Sequence, residues 1–334
     1  MRNNIAMQVD TILTIIIPNY NNSKTIERCL NSILDQINET IEIIVIDDGS
    51  TDDSLLVLDK YKKNIRIISQ TNCGVGEARN RGIDEANGKY IWFVDADDEI
   101  LPNALNDVFL NQLQQKNIDV YLFGLLKVSN IRRDKLVNTS SDILSNKELG
   151  TKYDKIFSEN LVKPVWNKIY LKCFLKSKGL KFKKYKLGED VIFNYEVMRS
   201  LNTIKIVDEA KYVYYTDNIS SSKYQVDKEY SNNISFRLHE LKKTLMKLKV
   251  PQVKKILVEE IIDILLGEEV IAFNTIKSSK QKKYKFYKRE LTSDIVKKLR
   301  NKVQIKEVSK KYIPKLIISK SNILSYIYWR SKLS

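Results

Sequence analysis

Three carboxylates follow directly on an apolar run in "YIWFVDADDEI". Residues 90–94 can be buried, and Asp95, Asp97 and Asp98 come immediately after. Like charges a few ångströms apart raise one another's pKa, so such a cluster calls for compensation. A divalent cation supplies it. Asp-x-Asp after a strand puts hard oxygen ligands near one point, and Mg²⁺ or Mn²⁺ binds such oxygens. Mg²⁺ is commonly held by one or two carboxylates together with substrate phosphates. The cluster therefore predicts a metal and diphosphate site. The alternative is a solvated turn in which Asp97 or Asp98 caps the helix that follows.

Other residues at strand ends extend this chemistry. In "IEIIVIDDGS", Asp48 can accept from a ring N–H of a base, and Gly49 suits a turn with positive φ. Tyr20, after "TIIIPN", offers a flat face for stacking, worth about 1–3 kcal/mol per base where aromatics meet nucleobases. Arg79 and Arg81 can face phosphate oxygens or lie as surface charge on a helix. Two glycine patterns do not qualify as phosphate loops. "GVGEAR" has Arg79 where a third glycine belongs, and "GIDEANGKY" lacks the Ser or Thr after its lysine. His239 is the only histidine and is given no role.

The elements that must position these groups alternate along residues 1–130. "TILTIIIPNY", "IEIIVIDDGS", "IRIISQ" and "KYIWFVDADD" read as strands. Between them lie helices with apolar spacing at Ile26, Leu30, Ile33 and Leu34, across 52–62, and in "GVGEARNRGIDEAN". Ser23 is the expected N-cap of the first, and Gly88 the expected stop of the third. Alternation of this kind predicts an α/β fold with a mostly parallel, Rossmann-like sheet and flanking helices, which binds ligands at the carboxyl ends of its strands. Residues 131–160 read as a polar connection with a short helix. "GEDVIFNYEVM" starts a helix with acids in its first turn, and "IKIVDEAKYVYYTDNISSS" reads as two strands. From about 229 the pattern is helical. The expected division is an α/β domain over 1–228, with halves 12–130 and 131–228, and a basic helical region over 229–334.

Charge divides along the same line. Residues 1–130 hold 12 Lys and Arg against 19 Asp and Glu, a net of −7, and the remainder carries +23 of the total +16. A basic half is either a solvated lysine-rich surface or an attraction to anionic membrane or nucleic acid. The three cysteines, Cys29, Cys73 and Cys173, build no disulfide framework and fit a reducing cytoplasm. The apolar run 12–17 is too short for a signal-peptide core or a membrane span.

Taken together, "IIIPNYNN", "VIDDGSTDDS", "QTNCGVGEARNRGI" and "YIWFVDADD" closely resemble the family-2 inverting glycosyltransferases of the GT-A fold, in order and spacing over residues 12–130. The resemblance implies a nucleotide-sugar donor, usually a UDP-sugar. It implies that Pro18, Tyr20 and Asp48 hold the base and that Asn72 and Arg79 line the donor site. It puts Asp95 on sugar or ribose and Asp97 on Mn²⁺ or Mg²⁺. "VWNKIY" and "GEDVIF" are similar to the acceptor half of capsule, exopolysaccharide and teichoic-acid members, where the acidic pair supplies the general base. On that similarity Asp190 is the base, Glu189 orients it, and Trp166 is a platform for an acceptor sugar. Inversion needs one carboxylate to take the acceptor's proton and no second, nucleophilic one. Glu189 and Asp190 otherwise read as favourable charges at a helix N-terminus.

"YKFYKRE" and "SYIYWRSKLS" interleave aromatics with cations, which suits a membrane interface. The expected setting is a cytoplasmic enzyme, peripheral at the inner leaflet, meeting a glycan or polyprenol-linked acceptor. Packing or homo-oligomerisation through the C-terminal helices is the other use of that region. Two rival functions are a sugar-1-phosphate nucleotidyltransferase, which "PNYNNS" after the first strand does not suit, and a nucleic-acid-binding protein. The second is weak because the best motifs are acidic and no nucleic-acid-binding signature is present.

Overall fold

The computed structural model describes residues 10–130, 132–136, 141–184, 188–216 and 228–263. Chain order runs β1 (Leu13–Asn19), α1 (Ile26–Leu34), β2 (Ile41–Asp47), α2 (Ser54–Asp59), β3 (Arg66–Ser69), α3 (Val75–Glu85) and β4 (Tyr90–Phe93). It continues through β5 (Glu99–Ile100), α4 (Asp107–Gln115), β6 (Val120–Val128), β7 (Arg133–Leu136), β8 (Ile143–Ser145), α5 (Asn146–Ser158), β9 (Lys168–Leu171) and α6 (Lys172–Ser177). The last described elements are α7 (Glu189–Ser200), β10 (Thr203–Tyr215), α8 (Lys228–Lys247) and α9 (Val253–Asp263).

The strands form one mixed sheet in the order β3-β2-β1-β4-β9-β6-β10-β5. The expected parallel part is β3, β2, β1 and β4. β9 runs antiparallel to both β4 and β6, and β10 is parallel to β6. Strand order departs in both directions from β1, so a crevice opens at the carboxyl ends of β1, β2 and β4. Because β9 is antiparallel to β4, the start of β9 lies at that same end, with Trp92 opposite Ile169. Pro18 sits in a central strand without breaking it. It pairs with Ile46 of β2, whereas pairing with β4 has already ended at Ile16 and Phe93, so its missing N–H falls where the sheet opens.

Several expectations are corrected. β6 is a fifth long strand beyond the four expected in the first 130 residues. The polar stretch 131–160 contains β7 and β8 as well as a helix; β7 pairs with β6 and β8 with β10, and both carry little apolar signal. The two strands expected near 204–219 are one, β10, whose register shifts between Ile206 and Ala210 absorb "VDEAK". Ser23 does not cap α1. The N-cap is Thr25, while the Ser23 N–H donates to Asp52. Gly88 does not stop α3, which ends at Glu85. A Cβ at Gly88 would lie 2.5 Å from the Thr14 nitrogen, so glycine is there for close approach to β1.

Among the described residues, 10–149, 159–184 and 189–216 form one compact unit, and 150–158, 188 and 228–263 belong to another. The first holds the sheet and its core of Ile, Val and aromatic side chains, including Trp92, Phe93 and Phe123 at zero exposure. In the second, Leu241, Leu245 and Ile256 are buried, Tyr153 stacks on Phe157, and Arg237 pairs with Glu260 at 2.7 Å. His239 is exposed. Among the described residues no helix is long and apolar enough to cross a membrane. The basic stretch beyond 263 lies outside the described residues.

Candidate active site

The loops after β1 and β2 are tied together by side chains. Asn19 Nδ2 donates to Asp47 Oδ1 at 2.8 Å and to Ser50 Oγ at 3.1 Å. Asn21, at φ 55°, accepts from the Thr51 N–H at 2.7 Å, and its own N–H donates to Ser50 Oγ. Tyr20 lies between these ties and is 40% exposed, so its ring is held at the rim with area to offer.

Asp48 is buried, and its carboxylate is engaged by the next loop. Oδ1 accepts from Gln70 Nε2 at 2.8 Å and the Cys73 N–H at 2.9 Å, and Oδ2 accepts from the Gly74 N–H at 2.8 Å. A carboxylate that gathers backbone N–H groups in this way fixes the segment that carries them. Gly49, at φ +75°, allows the close approach: a Cβ there would lie 3.0 Å from the Asn72 nitrogen. Asp48 thus pins the loop that presents exposed Asn72.

After β4 the three carboxylates have different surroundings. Asp98 is buried and accepts from Tyr212 OH at 2.8 Å and the Tyr215 N–H at 2.9 Å. Burial, then the charges of Asp95 and Asp97, push its pKa well up. Asp98 therefore anchors the turn to β10. Asp95 Oδ1 accepts from Arg79 Nη2 at 2.8 Å. The Asp97 carbonyl accepts from Arg28 Nη2 at 2.7 Å; Arg28 also pairs with Glu99 at 2.8 Å and lies 4.0 Å from the centre of the Tyr215 ring. Among the described residues no three His, Cys, Asp or Glu form a cage for a metal ion. Asp98 is committed to the fold, so the candidate metal ligands at the turn are the carboxylates of Asp97 and Asp95. That donor set fits a Mg²⁺ or Mn²⁺ that takes its other ligands from a diphosphate and water.

α7 brings the acidic pair to the same place. Glu189 and Asp190 lie in its first turn, where the helix dipole favours carboxylates. Arg79, 4% exposed, spans the gap: Nη2 meets Asp95 and Nη1 meets Glu189 Oε1 at 3.1 Å. In this structure Arg79, expected to line the donor site, bridges two carboxylates. Burial pulls its pKa down, but the charges of Asp95, Glu189 and Asp190 outweigh this and hold it up. Glu189 is pushed up to about 7, first by burial and then by Asp190, against the opposing pull of Arg79. Asp190 Oδ1 accepts from the Val191 N–H at 2.7 Å. Arg81 lies apart from this cluster, on the exposed side of α3, paired with Glu85.

Trp166 is not an open platform. It is 8% exposed, stacked on Tyr212 at 4.5 Å and Tyr214 at 5.1 Å, with its carbonyl accepting from Trp92 Nε1. Its indole packs the wall between β9 and β10. Sequence reasoning did not find Arg28, Tyr212, Tyr215, Lys168 or Asn194. A lysine inside the apolar strand "KIYL" was the available signal for one of them, because a charge on a buried strand needs partners.

Residues 14–170 match the family model "Glycosyl transferase family 2". The chain is 32% identical over 209 residues to the uncharacterized glycosyltransferase EpsJ of Bacillus subtilis, covering 61% of this chain and 60% of that protein. It is 35% identical over 216 residues to the poly(ribitol-phosphate) beta-glucosyltransferase of Bacillus spizizenii, covering 61% of this chain but 32% of that one. The alignments thus span about three fifths or less of these relatives' own lengths. Among solved structures, S. aureus TarS 1–349 in complex with UDP-GlcNAc superposes with a TM-score of 0.63 at 22% identity, covering 96% of this chain and 90% of that one. That likeness establishes the GT-A fold.

Proposed function

We propose that this chain, whose residues 14–170 form a glycosyl transferase family 2 domain, is an inverting glycosyltransferase that moves a sugar from a UDP-sugar to a hydroxyl of a cell-surface glycan or lipid-linked intermediate. The observation that carries the reading is the Arg79 bridge. One buried guanidinium ties the Asp-x-Asp turn to the acidic pair, although Arg79 and Glu189 are 110 residues apart in sequence. A donor-side and an acceptor-side carboxylate thereby share one crevice.

In this reading Tyr20 stacks on the base, and the loop pinned by Asp48 lines the donor site beside it. Asp97 and Asp95 would hold Mn²⁺ or Mg²⁺, and the ion would supply positive charge to the departing diphosphate. The acceptor oxygen attacks the anomeric carbon from the face opposite the diphosphate. The carbon–oxygen bond to phosphate breaks as the new glycosidic bond forms. The acceptor's proton passes to Asp190. Glu189, held by Arg79, keeps Asp190 placed at the start of α7. The likeness to TarS, whose structure holds UDP-GlcNAc, and to a poly(ribitol-phosphate) glucosyltransferase supports a UDP-sugar donor and an acceptor with a polyol-phosphate or glycan hydroxyl. The basic, aromatic sequence after residue 263 supports a site of action at the inner leaflet, which co-sedimentation with anionic vesicles at low and high salt tests.

Slow donor hydrolysis tests the chemistry without a known acceptor. With an α-configured UDP-glucose or UDP-GlcNAc, proton NMR should detect the β-anomer first. Asp190→Asn should retain UDP binding and lose at least about a hundredfold in turnover. First-formed α-sugar, or an Asp190→Asn protein of unchanged rate, would overturn the assignment.

A further inference from the structure

Lys168 is fully buried at the start of β9. Its Nζ donates to Leu161 O at 2.8 Å, to Asn167 Oδ1 at 2.7 Å and to Pro164 O. Three acceptors around one nitrogen require three N–H donors, which an ammonium has and a neutral amine lacks. The geometry is therefore that of a buried cation whose hydrogen-bond partners are all uncharged. A charge in that position is costly unless an opposite charge lies nearby.

The opposite charge is on α7. Burial pulls the Lys168 pKa well down, and the charge of Asp190 works against that pull. The helix that carries Asp190 is also linked to Lys168 by contacts through Asn194. Asn194 is one turn after Asp190 and shares its helix face. Its Nδ2 donates to Lys163 O and to Pro164 O, both at 2.8 Å, and Pro164 O is the carbonyl that Lys168 also holds. Tyr170 OH, from the same strand as Lys168, donates to Asn194 Oδ1 at 2.9 Å. β9 and α7 thus grip one loop, Leu161–Asn167, from two sides. Among the described residues, the charged and titratable groups that interact with Asp190 include Glu189 on its own helix, Arg79 from α3, and Lys168 and Tyr170 from β9. Arg79 divides its charge between Asp95 and Glu189.

We infer that Lys168 is a positioning residue for transfer, a buried counter-cation that keeps the Asp190 carboxylate ionised and, with Asn194, sets the first turn of α7 through the shared Pro164 carbonyl. The inference rests on the reading of Asp190 as the base. It adds a residue that never touches substrate but controls the proton acceptor. Loss of the cation raises the pH at which Asp190 becomes competent. It leaves donor binding unchanged, because Asp48, Asp95 and Asp97 are untouched.

The test is the pH dependence of kcat/KM for UDP-GlcNAc hydrolysis in wild type, Lys168→Arg, Lys168→Gln and Asn167→Asp, with UDP affinity and melting temperature measured on each. Lys168→Gln keeps two donors and removes the charge. Its acid limb should move up by about 1 pH unit, the size of effect a neighbouring opposite charge has on a carboxyl group, with about a tenfold loss below the limb and unchanged UDP affinity. Lys168→Arg should follow wild type. Asn167→Asp leaves the lysine in place but puts a competing carboxylate on it, and its limb should move in the same direction. A folded Lys168→Gln with an unmoved limb overturns the inference. If Lys168→Gln does not fold, an unmoved limb in Asn167→Asp overturns it alone. Asp190→Asn distinguishes failure of the underlying reading: if that variant keeps its turnover, the base is another group, whatever Lys168 does.

Discussion

Replacing Glu189 by Gln should become more favourable relative to wild type as pH rises. The carboxyl is about 14% exposed, beside Asp190, and its pKa is pushed from 4.5 to about 7. In the unfolded chain the group loses its proton near 4.5, whereas the folded protein keeps it until about 7. Between those values the folded state binds more protons, so stability falls as pH rises, at about 1.4 kcal/mol per unit. Over the window this amounts to about 3 kcal/mol, present in full below 4.5 and lost above 7. Gln has no such titration, and its amide oxygen can still accept from Arg79. The Gln variant should therefore gain on wild type by about 3 kcal/mol on going from pH 4.5 to pH 8. Urea unfolding followed by tryptophan fluorescence at both pH values measures it, since Trp92 and Trp166 both lie in the unit that holds Glu189. A difference between the two proteins that stays constant with pH, or a variant that loses more at pH 8, would refute the assignment of a burial-dominated carboxyl.

Other perturbations separate positioning from chemistry. Trp166→Ala should cost about 3–5 kcal/mol in urea unfolding, with any donor hydrolysis per folded molecule changed little, because the indole is packed between Tyr212 and Tyr214 rather than open to sugar. Gly88→Ala should destabilise by about 1–3 kcal/mol or more, seen as a lowered melting temperature, since a methyl there meets the Thr14 backbone at 2.5 Å. Asp48→Asn turns an acceptor toward N–H groups with a donor of its own. It should speed amide exchange at Cys73 and Gly74 and weaken UDP binding about tenfold or more, in line with a charge-assisted bond worth about 1.5–3 kcal/mol.

The parts of the fold legible from sequence were those with one dominant signal. β1, β2 and β4 are apolar runs ended by polar clusters, and those clusters do meet at one crevice. β6 escaped because a continuous apolar run with Gly124 inside it carries no period to distinguish strand from helix. β10 read as two strands because "VDEAK" interrupts the apolar run and a register shift repairs it. The identity of the site's residues was more legible than their duties. Asp95, Asp97, Asp98 and Asp48 look alike as carboxylates after strands. Only the structure distinguishes Asp98, held by Tyr212 and Tyr215, from Asp97, and shows Asp48 holding a loop. The role of Arg79 depends on Glu189, 110 residues away, and no local pattern encodes such a pairing. Trp166 read as a platform because a tryptophan beside polar residues gives no sign of which rings will cover it.

The most direct test of the central claim is binding of UDP with and without Mn²⁺ to wild type and Asp97→Asn, followed by thermal shift. A ligand at about 100 times its dissociation constant adds about 2.7 kcal/mol, a shift of several degrees for a protein of this size. A shift that requires both Mn²⁺ and the Asp97 carboxylate is the predicted result. UDP binding of equal strength without metal, or in Asp97→Asn with metal, would contradict the assignment of the Asp-x-Asp turn as the metal and diphosphate site.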